Sequence, residues 1–142
     1  MANKAADLDS LIRLRQWTVD ERQRELTALV NREDQLILYG KELDKQLVRE
    51  GELARGDPTG AGFLFGAYAA EHKKKREKLA ITLAALRQEI EAARDRLAQA
   101  FRERKTMEEV QKGRAKREAA EAARLEQEAL DEIAQNQYRR LN

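Results

Sequence analysis

The chain has 142 residues, about the size of one domain, with 38% charged residues, 5% aromatic residues and a net charge of +2. A balance so close to neutral selects no partner class, and the scarcity of bulky aromatics argues against a large compact core. What remains is an Ala-, Glu-, Lys-, Leu- and Arg-rich profile with one Pro, that of long helices or coiled coils.

Cysteine is absent, which removes disulfides and thiolate metal sites and fits a reducing compartment. Residues 1–14 lack the apolar stretch and small-residue cleavage site of a signal peptide. No apolar run approaches the roughly 20 residues that span a bilayer. The expectation is a soluble, cytoplasmic protein of a single coiled-coil domain, residues 1–142.

The first periodic segment covers residues 5–54. Seam positions fall at Ala5, Leu8, Ile12, Arg15, Val19, Arg22, Leu26, Leu29, Glu33, Leu36, Gly40, Leu43, Leu47 and Glu50. Nine of these fourteen are apolar, and the alternating steps of three and four are those of a coiled coil. Arg15, Arg22 and Glu33 interrupt the seam, and such charges weaken packing while helping to set register. Asp7 or Asp9 suits the start of this helix.

Residues 51–62 read GELARGDPTGAG and hold the only proline and four of the seven glycines. Gly56, Asp57, Pro58 and Gly60 form a breaker cluster too short for an inter-domain linker. It predicts the bend of a hairpin, about residues 55–64.

The second segment, about residues 65–139, carries seam positions at His72, Arg76, Leu79, Leu83, Leu86, Ile90, Ala93, Leu97, Ala100, Arg104 and Met107. The pattern is strongest from Leu79 to Leu97 and fades after Met107. Folding the chain back at the bend brings Leu36 to the region of Leu83 and Ile12 to the region of Met107. Helix 1 then runs out opposite residues 112–116, where the seam of helix 2 degrades. The fold class is therefore all-α: two long helices in an antiparallel coiled-coil hairpin, with helix 2 overhanging at the C-terminus from about Ala115.

The overhang keeps apolar residues on two lines, Ala122, Leu125, Ala129 and Ile133, then Leu130, Ala134, Tyr138 and Leu141. Small, Ala-rich faces tolerate water; the alternative is a face that docks on another protein.

Enzyme chemistry finds no foothold in the sequence. There is one histidine, His72, and a two-helix hairpin offers no cleft in which a nucleophile–base pair or a metal cage converges. The glycines at 56–66 are not followed by Gly-Lys-Ser/Thr, so no phosphate loop is present. No catalytic residue, cofactor, metal or small-molecule substrate is expected.

The densest charge is the basic run Lys73, Lys74, Lys75, Arg76 and Lys78, followed by Lys112, Arg114, Lys116 and Arg117. Such runs suit an acidic protein, anionic lipid or nucleic acid, but most are solvated faces. No aromatics interleave for base stacking, and a protein partner with an acidic surface is the best functional reading of these runs. Phe63, Phe65 and Tyr68 cluster near the bend, where they either plug the end of the hairpin or meet a partner.

The C-terminal block Leu125-Glu126-Gln127-Glu128-Ala129-Leu130-Asp131-Glu132-Ile133-Ala134, followed by Arg139, resembles the end of the FliJ family of flagellar export proteins. Phe101 followed by Arg102-Glu103-Arg104-Lys105 resembles a second family stretch, an aromatic preceding a basic run. Size and two-helix layout match over nearly the whole chain. The resemblance implies a cytoplasmic component of the flagellar type III export apparatus, peripherally associated with the inner-membrane export apparatus. It implies a likeness to the central stalk of rotary ATPases, binding to the hexameric flagellar export ATPase, a link to the membrane export gate and handling of export chaperones.

Mapped onto this chain, the resemblance puts ATPase contacts near residues 8–22 and 114–133, with Arg15, Arg114, Leu125, Leu130, Ile133 and Tyr138 as candidates. Gate contacts fall near the bend, at Leu36, Tyr39, Leu43, Tyr68 and His72. A generic coiled-coil adaptor, or the stalk protein of a virulence type III secretion system, is the alternative.

Overall fold

In a computed structural model the backbone is described for residues 2–57 and 61–142, and the side chains for residues 6–57 and 62–142. The expected bend residues Pro58 and Gly60 and the seam side chain of Ala5 lie outside the described residues. The chain forms two helices, α1 (Ala2–Arg55) and α2 (Ala61–Leu141). They pack against each other as an antiparallel hairpin.

α1 begins well before Asp7, and its first turn contains no acidic residue. Neither Asp7 nor Asp9 starts the helix; Asp9 instead accepts a hydrogen bond from Gln111 Nε2 at 2.6 Å. α1 runs through Gly51 and closes as the Gly56 N–H donates to the Glu52 carbonyl and the Asp57 N–H to that of Ala54. α2 starts at Ala61, four residues ahead of the expected position, and continues through Gly62, Gly66 and Gly113. Each glycine costs a helix roughly 1 kcal/mol relative to Ala, an amount that flanking residues readily offset. Arg55, Arg139 and Arg140 sit in the last turns, where cations complement the helix dipole.

The chain divides into two compact units: one made of Val19–Gln99, the other of Met1–Thr18 with Ala100–Asn142. In the Val19–Gln99 unit the core is a narrow seam of Val19, Leu43, Leu79, Leu86, Ile90 and Ala93. Leu26, Leu29, Leu36, Leu47, Leu83 and Leu97 are half-buried around it. The ion pairs across this seam follow the antiparallel register. Asp44 meets Arg76 at 3.3 Å, Glu33 meets Arg87 at 3.1 Å and Glu25 meets Arg96 at 3.9 Å. Each step back along α1 is matched by a step forward along α2.

In the other unit, Ala100 is buried, and Leu8, Ile12 and Met107 are half-buried. Arg15 Nη1 donates to Glu103 Oε2 at 3.0 Å, and Arg104 Nη1 donates to Gln16 Oε1 at 2.8 Å. From Asp9–Gln111 to these two pairs the register again runs antiparallel. Every residue from Ala115 onward is exposed, so the overhang begins where the seam was expected to end.

Candidate interaction surfaces

The first surface lies in the Val19–Gln99 unit. Gly40 occupies a seam position on α1 and is buried. A Cβ at Gly40 would run into the Arg76 guanidinium and come within 2.8 Å of Leu79 Cδ2. The missing side chain leaves room for Arg76 to cross α1 and reach Asp44. That crossing explains why Arg76, expected in the seam, is exposed. Asp44 also receives His72, whose Nε2 lies 3.0 Å from Oδ1. The His72 side chain is only 14% exposed, so one carboxylate holds both a seam imidazole and a surface guanidinium.

The gate candidates are placed unequally around this clasp. Leu43 is 6% exposed and its side chain is spent on the seam, not offered to a partner. Leu36 and Tyr68 are half-buried, whereas Tyr39 is 48% exposed. Neighbouring Leu38 and, on α2, Ile81 are more exposed still. Sequence reasoning missed Gly40 and Asp44; a glycine and an arginine at seam positions on opposite sides of the bend were the available signal.

Near the bend, half-buried Phe65 and Tyr68 and exposed Leu53 and Leu64 line a shallow groove. Phe65 Cζ approaches to 3.3 Å of where a Cβ on Gly51 would stand. Phe65 therefore plugs the hairpin end, while Phe63, two residues earlier and on another side of the helix, remains exposed.

The second surface belongs to the unit of Met1–Thr18 and Ala100–Asn142. Of the ATPase candidates, Arg15 is tied to Glu103 and Arg114 to Glu118, at 3.0 and 3.2 Å, so each guanidinium already has an acidic partner. Leu125, Leu130, Ile133 and Tyr138 are all exposed on the overhang. Beside them Arg124 bridges Glu121 and Glu128, and the hydrogen bonds it donates to these carboxylates, Glu121 first, raise its pKa above the ordinary arginine value. Leu11, Leu14 and Trp17 on α1 are also exposed, off the seam, a set that the periodicity flagged only by leaving it out.

Phe101 lies in the stretch that carries the second family resemblance, and the Arg104 guanidinium sits 5.0 Å from its ring centroid. The same Arg104 reaches Gln16, so the aromatic, the basic run and α1 form one local cluster. Among the described residues, no group of His, Asp and Glu is arranged to hold a metal ion, and no helix is long and apolar enough to cross a membrane.

No curated protein and no solved structure matches the chain. The family described as flagellar FliJ protein matches residues 4–142, the whole length of the hairpin and its overhang. The chain belongs to the flagellar FliJ protein family and is by that membership a component of flagellar type III protein export.

Proposed function

We propose that this chain is a cytoplasmic, stalk-like factor that binds the hexameric flagellar export ATPase, links it to the membrane export gate and handles export chaperones. The observation that supports this reading most directly is the uncovered C-terminal stretch of α2. Leu125, Leu130, Ile133 and Tyr138 face solvent there, on a helix that α1 does not cover. An amphipathic helix with such anchors gains its cover by docking into a partner's groove.

In this reading the overhang makes the apolar part of the ATPase contact, and Arg15 and Arg114 lie at its basic edge. The gate contact centres on Tyr39 and neighbouring Leu36, with Tyr68 nearer the bend beside Leu53 and Ala54. Leu43 and His72 support that surface from within, Leu43 through the seam and His72 through Asp44.

The test is a pull-down with the flagellar export ATPase, using Leu125→Asp combined with Ile133→Asp. The double variant keeps the helix length and places charge on the apolar face, so ATPase association is expected to be lost while far-UV circular dichroism is unchanged. Full retention of the ATPase by this variant would exclude the stripe as the contact.

A further inference from the structure

In the Val19–Gln99 unit, α2 carries an outer face besides the face packed on α1. On α2 the inner line Phe65, Tyr68, Ala69, His72 and Leu79 is buried or half-buried against α1. The outer line Phe63, Ala67, Ala70, Lys74, Lys78 and Ile81, at steps of three and four, is exposed throughout. Phe63 is 86% exposed and Leu64 is 70% exposed, and Leu64 shares its groove with exposed Leu53. Such exposure of large apolar side chains is costly unless a partner covers them.

Lys73, Lys74, Lys75 and Lys78 form no ion pair among the described residues, in contrast to Arg76, which Asp44 holds. We propose that the outer face of α2, from Phe63 to Lys78, is a docking surface for an anionic phospholipid membrane. Phe63 and Leu64 enter the boundary between headgroups and acyl chains, and the lysines settle on the headgroups.

Charge complementarity decides the occupant, because the four lysines outnumber the two carboxylates of the same stretch, Glu71 and Glu77. Lys73, Lys74 and Lys75 are consecutive, so they leave the helix about 100° apart and splay over more than half its circumference. A protein surface of fixed shape meets one side of such a helix. A fluid headgroup layer is met by all three, because lysine stems lie along the surface and let the ammonium groups reach down from both flanks. Residue type points the same way. Lysine is depleted at protein interfaces, where arginine and its planar fork are preferred. An apolar tip beside a lysine cluster is the composition of helices that lie in the membrane interface.

The experiment is co-sedimentation of the full chain with phosphatidylcholine vesicles, with and without phosphatidylglycerol. Binding to the anionic vesicles alone is expected, falling as salt rises. A lysine near an anionic surface is worth roughly a 5-fold gain in partitioning, so changing Lys73, Lys74, Lys75 and Lys78 to Gln is expected to weaken binding by roughly 600-fold. Phe63→Ser with Leu64→Ser is expected to weaken it at least about 10-fold, since it removes apolar burial and leaves the charge intact. These positions are exposed, and circular dichroism checks that the variants fold.

With Trp17→Phe and Phe63→Trp, the tryptophan emission is expected to shift to the blue on anionic vesicles and to stay fixed on neutral ones. The proposal is overturned if anionic vesicles fail to bind at low salt, or if neutral vesicles bind equally. It is equally overturned if the Phe63 and Leu64 variant binds as the parent does. Retention of polyglutamate through the lysines, with no vesicle binding, would assign the face to an acidic protein instead.

Discussion

Gly40 and Arg76 are complementary: the guanidinium passes through the space that any other side chain at position 40 would fill, and it ends on Asp44. Adding volume at Gly40 opposes this crossing. Alanine brings a helix-propensity gain of up to about 1 kcal/mol, which offsets part of the displacement of flexible Arg76. Leucine also presses on buried Leu79. Gly40→Leu is therefore expected to destabilise the hairpin by about 1–3 kcal/mol in urea unfolding. A midpoint equal to that of the parent would mean that the helices do not approach closely at Gly40.

The seam should carry the stability, and the outer surface should not. Leu86 is buried in the core of its unit, whereas Ile81 on the same helix faces water. Leu86→Ala is expected to cost about 2–3 kcal/mol, near the lower end for large-to-small core changes because a thin seam relaxes easily. Ile81→Ala is expected to stay within about 0.5 kcal/mol of the parent. Equal losses in thermal melts of the two variants would contradict the assignment of faces. Leu86→Pro goes further, removing a helical hydrogen bond at a cost of about 3 kcal/mol or more, with visible loss of helicity.

How much of this was legible beforehand depends on the residue. The steps of three and four located the apolar seam because burial in a two-helix hairpin depends almost wholly on angular position. The overhang was legible by the same logic, as the point where the pattern fades and α1 runs out. Three features were not. The start of α2 was hidden, because Gly62 read as part of the bend while the helix tolerates it. Arg76 and Glu50 occupy seam positions yet are exposed, Arg76 because a cross-helix glycine lets it escape toward Asp44. Phe63 and Phe65 look equivalent in composition, but two residues turn a helix by about 200°, so only Phe65 plugs the end.

The register makes a prediction of its own. Glu33–Arg87 and Asp44–Arg76 bracket Leu36 on α1 and Leu83 on α2, both half-buried. Cysteines at Leu36 and Leu83 are expected to oxidise to a disulfide within one chain, seen as faster migration of a monomer band on a non-reducing gel. The geometric window is narrow, with Cα atoms no more than about 7 Å apart. Crosslinks that form only between chains would replace the hairpin with an extended dimer.

Stability should be distributed along α2 in proportion to its cover. Around Leu86, Ile90 and Ala93 the helix is packed in the seam, and its amides open only when the hairpin unfolds. From Ala115 onward every residue is exposed, and the helix rests on propensity and on local pairs such as Arg124 with Glu121 and Glu128. Such pairs between exposed side chains add little, because water and salt screen them. Hydrogen exchange is therefore expected to be fast throughout the overhang and slowest near residues 86–93. Truncation after Arg117 should leave the melting of the packed region nearly unchanged, because no residue of the overhang contributes to the buried seam. Adding the export ATPase to the full-length chain is expected to slow exchange at Leu125, Leu130 and Ile133, as docking covers their face. Slow exchange across residues 115–142 in the isolated chain would show that the overhang already has a partner, and self-association would then be the property to measure.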